Sequence, residues 1–455
     1  HPRVRRQRQM CIRDRFKTLR NAWSVPEIRK KLLYTLLMIL IFRMGCAVVV
    51  PFLDTSMVTS WMDEKATGGN FLEYLDIITG GALSQATVFS LSITPYINAS
   101  IIMQLLTYAL PPLERLRDEG EEGQKKLNKI TAAVSLALSA FMSYAYYVTL
   151  KNQMGAVYDG GSTAANVFIG FVIVMSFIAG TSIVVWMGNR INDKGIGNGI
   201  SMLLFAGILA RFPTMAGKLY EMTVSNPSRY FFESLLVLVL FVAMIVFIVF
   251  MNAAERRIPI QYAKRVVGRK QYGGQSTHIP VKICMSGVMP IIFAMSFMSL
   301  PSTISLFKQP YANPSSFGQR FYNGFLNFFN TGSWTYALIY FVLIIAFNYF
   351  YVAMQYNPIE IANNLRQNNG GIPGIRPGKP TSDYIQRILN KITLVGAFFL
   401  GVIAIFPIFM TMADPNLSSL AMGGTTVLIV VSVALETVRT LESELMMRHH
   451  KGFLE

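Results

Sequence analysis

Residues Asn70–Leu110 read NFLEYLDIITGGALSQATVFSLSITPYINASIIMQLLTYAL, and the fold follows from this stretch. It opens with an apolar piece, Phe71–Thr79, far short of the roughly 20 residues that a membrane-spanning helix needs. Asn70 is placed to cap that piece, with Glu73 three positions on as a capping-box partner. The Gly80-Gly81 pair then breaks it, because adjacent glycines impose little backbone preference. Beyond lies a true span with Pro95 near its start and Ile93 and Ile97 one helical turn apart. A short detached helix on a glycine hinge, leading into a kinked span with an aliphatic face, is the arrangement of a movable stopper beside a pore.

The rest of the chain sets the medium. Of its 455 residues 52 % are hydrophobic and only 14 % charged, the mean hydropathy is +0.41, and the apolar residues come in long runs. That composition is a polytopic membrane protein. Ten apolar stretches read as spans, near 32–50, 93–110, 130–150, 165–187, 196–212, 230–251, 283–303, 334–354, 388–410 and 423–438. The fifth and tenth are short and contain glycine. Leu32–Val50 is a full-length span with no small-residue cleavage site after it, so no cleavable signal peptide is expected. Cys11 lies in the tail, and Cys46 and Cys284 fall in or beside apolar runs, so no disulfide framework is expected.

The net charge of +17 could point to nucleic acid, but its location decides. With the N-terminus inside, segments on the inner side after the first span carry 22 Lys and Arg, and those on the outer side 7, with Lys391 and Arg211 counted in the segments they adjoin. The region through Lys31 adds 11 more, and Arg43 is left within a span. This asymmetry is the positive-inside rule and puts both termini in the cytoplasm. Five spans precede residues 213–229 and five follow. An odd number per half forces any structural repeat to be inverted.

The spans hold almost no ionisable groups, which weighs against an ion-coupled transporter and suits a pore closed by hydrocarbon. No catalytic or metal set is present. His1, His278, His449 and His450 have no ligand spacing, and there is no HExxH and no nucleophile elbow. Gly195-x-Gly197-x-Gly199 follows a span rather than a strand, so it reads as a tight turn and not a nucleotide fingerprint. No cofactor is expected.

GGALSQATVFSLSITPYINASIIMQLL resembles the plug and second transmembrane helix of the SecY family, the channel subunits of the bacterial protein-export translocon. The likeness runs from about Leu19 to Phe453; the first fifteen residues, HPRVRRQRQMCIRDR, match nothing in it and read either as not native to the protein or as a disordered basic tail near anionic lipid. It implies a ten-helix, all-α channel in two inverted five-helix halves with a short re-entrant plug at about 70–81, in the bacterial cytoplasmic membrane. The expected domains are 1–31 as a basic N-terminal region, 32–212 and 230–440 as the halves, 213–229 as an external hinge, and 441–455 as a cytoplasmic tail. Matched motif by motif, the pore ring comprises Ile93 and Ile97 from SITPYI, Ile200 and Leu204 from NGISMLL, Met289 from GVMP and Ile429 from GGTTVLIVV. The plug residues are Phe71, Leu72, Tyr74, Leu75, Ile77, Ile78, Gly80 and Gly81. The lateral gate lies between the second and third spans and the seventh and eighth, with Asn98 and Gln104 as polar members on the second span; helix packing explains those two equally well.

Two basic loops complete the resemblance. ERRIPIQYAKR and QSTHIPVK, in Asn252–Lys282, are similar to the family loop that contacts the ribosome and the motor SecA, with Arg256, Arg257, Lys264, Arg265, Arg269 and Lys270 as the cations that ribosomal RNA phosphates would attract. GIPGIRPGKP, within the second loop (355–387), supplies Arg376 and Lys379, with Pro373 and Pro377 stiffening the backbone. The implied partners are SecE-like and SecG-like small membrane subunits, SecA, the ribosome, signal peptides, nascent chains and membrane lipid. A secondary transporter and an accessory translocon restricted to few substrates are the competing readings.

Overall fold

The computed structural model describes residues 23–65, 76, 79–225, 227–262, 265–267, 270–272, 276–307, 317–329, 333–413 and 424–451. In chain order these form α1 (Pro26–Gly45), α2 (Thr55–Lys65), α3 (Thr94–Ala109), α4 (Pro111–Asp118), α5 (Glu121–Asn152), α6 (Thr163–Lys194), α7 (Gly199–Ser225) and α8 (Pro227–Ala253). There follow β1 (Glu255–Tyr262), β2 (Arg265–Val267), β3 (Lys270–Tyr272), β4 (Ser276–Lys282), α9 (Met289–Phe307), α10 (Phe317–Phe328), α11 (Trp334–Gln355) and α12 (Pro358–Gln367). The chain ends with β5 (Gly370–Gly371), α13 (Lys379–Ala413) and α14 (Gly424–Lys451). Helices occupy all ten expected span positions. Among the described residues six are long and apolar enough to cross a membrane: α5, α6, α7, α8, α11 and α13. The protein is an all-α polytopic membrane protein with small β elements outside its spans.

Two stretches differ from the sequence reading. The fifth span does not stop near residue 212: α7 runs through Pro213 to Ser225, so most of the expected hinge 213–229 is helical. Proline costs a helix one hydrogen bond at its own position, and the Met, Ala, Lys, Leu and Glu that follow are strong helix formers. The first basic loop is a twisted hairpin: β1 pairs antiparallel with β4 from Glu255–Lys282 to Gln261–Ser276, and β2 with β3 beyond. The cause is period-two alternation in ERRIPIQY, which buries Ile258 and Ile260 and turns Arg257 and Pro259 outward.

The chain divides into two compact units, residues 1–217 with 306–309 and 433–455, and residues 218–305 with 310–432. In the first, α5 packs against both α3 and α6. Its inward face is a hydroxyl ladder, Thr131, Ser135, Ser139 and Ser143, while Leu136, Phe141 and Tyr144 face outward. Lipid is as apolar as leucine, so small residues that let backbones approach go inside and bulky apolar ones outside. The Gly195–Gly199 turn joins α6 to α7, as expected. A β-carbon at Gly199 would stand 2.1 Å from the Gly188 carbonyl oxygen, and the Ile196 amide donates to Thr35 Oγ1 at 3.1 Å. At the chain's far end Lys31 pairs with Glu444 at 2.8 Å, above a small cluster of Ile28, Ile196 and Leu441.

In the second unit α11 lies along α13, and α12 also packs on α13. Asn348 is the polar pin of that core: it bonds Ser286, and its Nδ2 donates to the Thr393 carbonyl at 2.9 Å. α8 exposes Leu235, Leu236, Val239, Val242 and Phe250, as a helix immersed in hydrocarbon does.

Candidate functional site

The site of the first unit is built around the glycine corner. Gly80 and Gly81 both take positive φ, +72° and +87°, which an L side chain rarely adopts. Gly80 also has no room for one, since a β-carbon there would sit 2.7 Å from the Gly207 carbonyl oxygen on α7. The corner thus lies directly on that helix. Residues 82–93 continue as stacked turns rather than helix: Thr87 and Ser90 hydroxyls both donate to the Ala82 carbonyl, and the buried Tyr146 hydroxyl donates to the Leu83 carbonyl at 2.8 Å. Ile93 caps α3, and Pro95 stands in its first turn.

Two arginines hold the corner in place. Arg43 on α1 donates through Nη1 to the Gly80 carbonyl at 3.3 Å. Arg211 on α7 forms an ion pair with Asp76, a carboxylate only 2 % exposed, whose other oxygen accepts from the Ser84 amide at 2.7 Å. Neither arginine nor Asp76 was among the sequence-based site residues. The signal available was charge scarcity: an acid buried in a chain this poor in charge needs a partner, and Arg43 and Arg211 are the basic groups placed within or at the end of the neighbouring spans.

Four expected pore-ring residues meet in the same unit. Ile93 and Leu204 belong to one buried cluster with Phe42, Phe89, Val184 and Met187, and Ile97 and Ile200 pack against it. In the second unit Met289, the first residue of α9, is half-buried, and Ile429 on α14 is buried. None of the six is exposed. Asn98 is half-buried on α3; Gln104 shares a 3.4 Å hydrogen bond with Ser100, and its Oε1 is buried with no hydrogen-bond partner among the described residues. Phe71, Leu72, Tyr74, Leu75, Ile77 and Ile78 lie outside the described residues, as do Asn70 and Glu73.

The two basic loops join in the second unit. β5 from the second loop pairs with β1 from the first, Gln261 with Gly371 and Tyr262 with Gly370, giving a sheet ordered β4-β1-β5. Beneath it Ile258, Ile260, Ile372, Leu365 and Leu389 form one apolar cluster, and burial pushes the phenol of neighbouring Tyr356 above its ordinary value. Arg256, Arg257, Arg376 and Lys379 are all exposed, with Arg257 paired to Glu255 at 2.8 Å. Arg376 sits between Gly374 and Gly378, both at positive φ, and its carbonyl accepts the Thr381 hydroxyl at 2.9 Å. Arg265 and Lys270 lie on the β2–β3 hairpin; Lys264 and Arg269 lie outside the described residues.

The comparisons with known proteins agree on a family. The SecY family profile matches residues 87–438. The protein translocase subunit SecY of Streptomyces scabiei is 39 % identical over 442 residues, spanning 95 % of this chain and 98 % of its own. That of Thermotoga maritima is 38 % identical over 447 residues, spanning 97 % and 98 %. Among solved structures, a protein conducting channel superposes with a TM-score of 0.57 at 16 % identity over 93 % of this chain and 96 % of that one. Sec61 in a canine ribosome-channel complex superposes with a TM-score of 0.54 at 15 % identity, over the same shares. Those two show the common fold, and the bacterial relatives carry the assignment: this chain belongs to the SecY family of protein-conducting channels.

Proposed function

We propose that this chain passes unfolded polypeptides across a bacterial cytoplasmic membrane and releases apolar segments sideways into lipid. In this reading both termini are cytoplasmic. The observation that carries it is the joint position of the glycine corner and the aliphatic cluster: Ile93, Ile97, Ile200 and Leu204 converge where Arg43 and Arg211 pin the end of the short segment 71–79. By resemblance to the family, Met289 on α9 and Ile429 on α14 are the remaining members of the ring. An apolar constriction blocks ions by excluding water, and flexible aliphatic side chains re-form that barrier around a chain in transit. The segment 71–79 is the plug and moves aside when the waist opens.

By the same resemblance the lateral gate involves α3, α5, α9 and α11, with Asn98 and Gln104 on α3. A signal sequence intercalating there shifts the population toward the open state by binding it better than the closed one. The chain is a conduit; driving force comes from SecA or the ribosome, seated on the β4-β1-β5 sheet through Arg256, Arg257, Arg376, Lys379 and the hairpin cations. Small single-span subunits like SecE and SecG brace the halves. Crosslinking tests the conduit: a stalled secretory chain should trap on a photoreactive residue placed at Ile97 or Ile200. Traps that appear only at lipid-facing Val239 would reject it.

A further inference from the structure

α10 (Phe317–Phe328) is built inside out relative to a helix that covers a protein in water. Its four phenylalanines, Phe317, Phe321, Phe325 and Phe328, fall within one side of the helical wheel and are 85, 68, 37 and 49 % exposed. The opposite side, Gln319, Tyr322, Asn323 and Leu326, is half-buried. A helix in contact with water turns its apolar side to the protein, and this one does the reverse. The medium outside the stripe is therefore less polar than the surface on which the helix rests.

The level of that medium is fixed by the neighbouring span. Thr335 Oγ1, in the first turn of α11, donates to the Phe328 carbonyl at 3.1 Å, so the end of α10 is tied to the start of a membrane-crossing helix. Trp334 opens α11, is exposed, and packs edge-on against exposed Phe409 at 5.3 Å. Exposed Trp at the end of a span marks the boundary between headgroups and hydrocarbon. The stripe thus continues an aromatic belt already facing lipid, and Arg320 flanks it, where a guanidinium meets headgroup phosphates.

We propose that α10 is an interfacial helix whose phenylalanine stripe is seated in the bilayer, at the end of α11 away from the docking sheet. The occupant of the stripe is lipid, with the rings roughly 5–10 Å into the boundary between headgroups and acyl chains. The helix then ties the connection between α9 and α11 to the membrane plane.

The test uses the full chain with Cys11→Ser, Cys46 and Cys284 being buried, reconstituted in vesicles of phosphatidylcholine and phosphatidylglycerol. Bimane is attached at Phe321→Cys or Phe325→Cys, and for reference at Ser162→Cys, in the exposed loop before α6. Both α10 labels should be quenched by phosphatidylcholine carrying a shallow acyl-chain nitroxide, and should be several-fold less accessible to iodide than the reference. Iodide quenching equal to that at position 162 would overturn the proposal in favour of a water-facing helix. Protection from both quenchers would overturn it in favour of a protein cover. Phe321→Trp keeps an aromatic ring at the site and gives a second reading: extra emission lost in brominated-lipid vesicles relative to the parent supports lipid contact, and no extra loss refutes it.

Discussion

Asp76 is the residue on which the closed state should turn. Its carboxylate is almost wholly buried, and Arg211 is its ionic partner. Removing one partner of a buried pair costs roughly 3–5 kcal/mol, because the other charge is left uncompensated. Asp76→Ala should therefore raise the resting ion conductance of channels in planar bilayers, and the exchanged pair Asp76→Arg with Arg211→Asp should bring it back down. Conductance equal to the parent in the single variant would remove this pair from the closed state. Gly80→Ala is predicted to act in the same direction, since it must hold a left-handed backbone at about 1–2 kcal/mol and also displace Gly207. At this scale the sequence told which residues break helices and which are apolar. It did not tell which arginine meets Asp76, because charge scarcity says only that a buried acid needs a partner, and the two residues are far apart in the chain.

At the scale of elements, the β4-β1-β5 sheet is the clearest case of order imposed by packing. β5 is two residues long and has no strand signature of its own; it exists because β1 offers an unpaired edge and Ile372 enters the cluster below. Ile260→Ala should cost about 2–4 kcal/mol locally, as large-to-small core changes do. The expected reading is faster amide hydrogen exchange in β1, β4 and β5 together, with α5 and α6 unchanged. Exchange confined to β1 would mean that the loops are not one unit. The Asn348 pin makes a parallel prediction. Asn348→Leu leaves the Ser286 hydroxyl without its partner and strips a second bond from the Thr393 carbonyl inside α13, at roughly 1–3 kcal/mol, and should lower the thermal midpoint in detergent. An unchanged midpoint would show that water or another group replaces it. Alternation in ERRIPIQY makes a strand legible in principle, but the charge of the loop dominated its reading.

For the whole molecule, the predictions concern motion and docking. Deleting residues 71–79 should leave the resting channel leaky to ions, and unchanged conductance would deny that segment its stopper role. Binding to ribosomes should weaken steeply with salt, because phosphate contacts release counterions, and Arg376→Glu should weaken motor-driven secretion more than it changes the fold. A salt-independent affinity would place the ribosome contact elsewhere. The ten apolar stretches where helices stand, six of them long and apolar enough among the described residues to cross a membrane, and the two basic loops were readable from local composition, since each reflects a local excess of apolar or basic residues.

The amino-acid order by itself determined the medium, the places where the chain crosses it, and the glycine corner, because hydropathy and backbone freedom are properties of single residues and short windows. Tertiary structure alone decided that Asp76 meets Arg211, that β5 joins β1, and that the phenylalanine stripe of α10 points away from the protein. Each of those depends on which surfaces distant segments bring together, and a pairwise contact between them leaves no periodic trace in the chain.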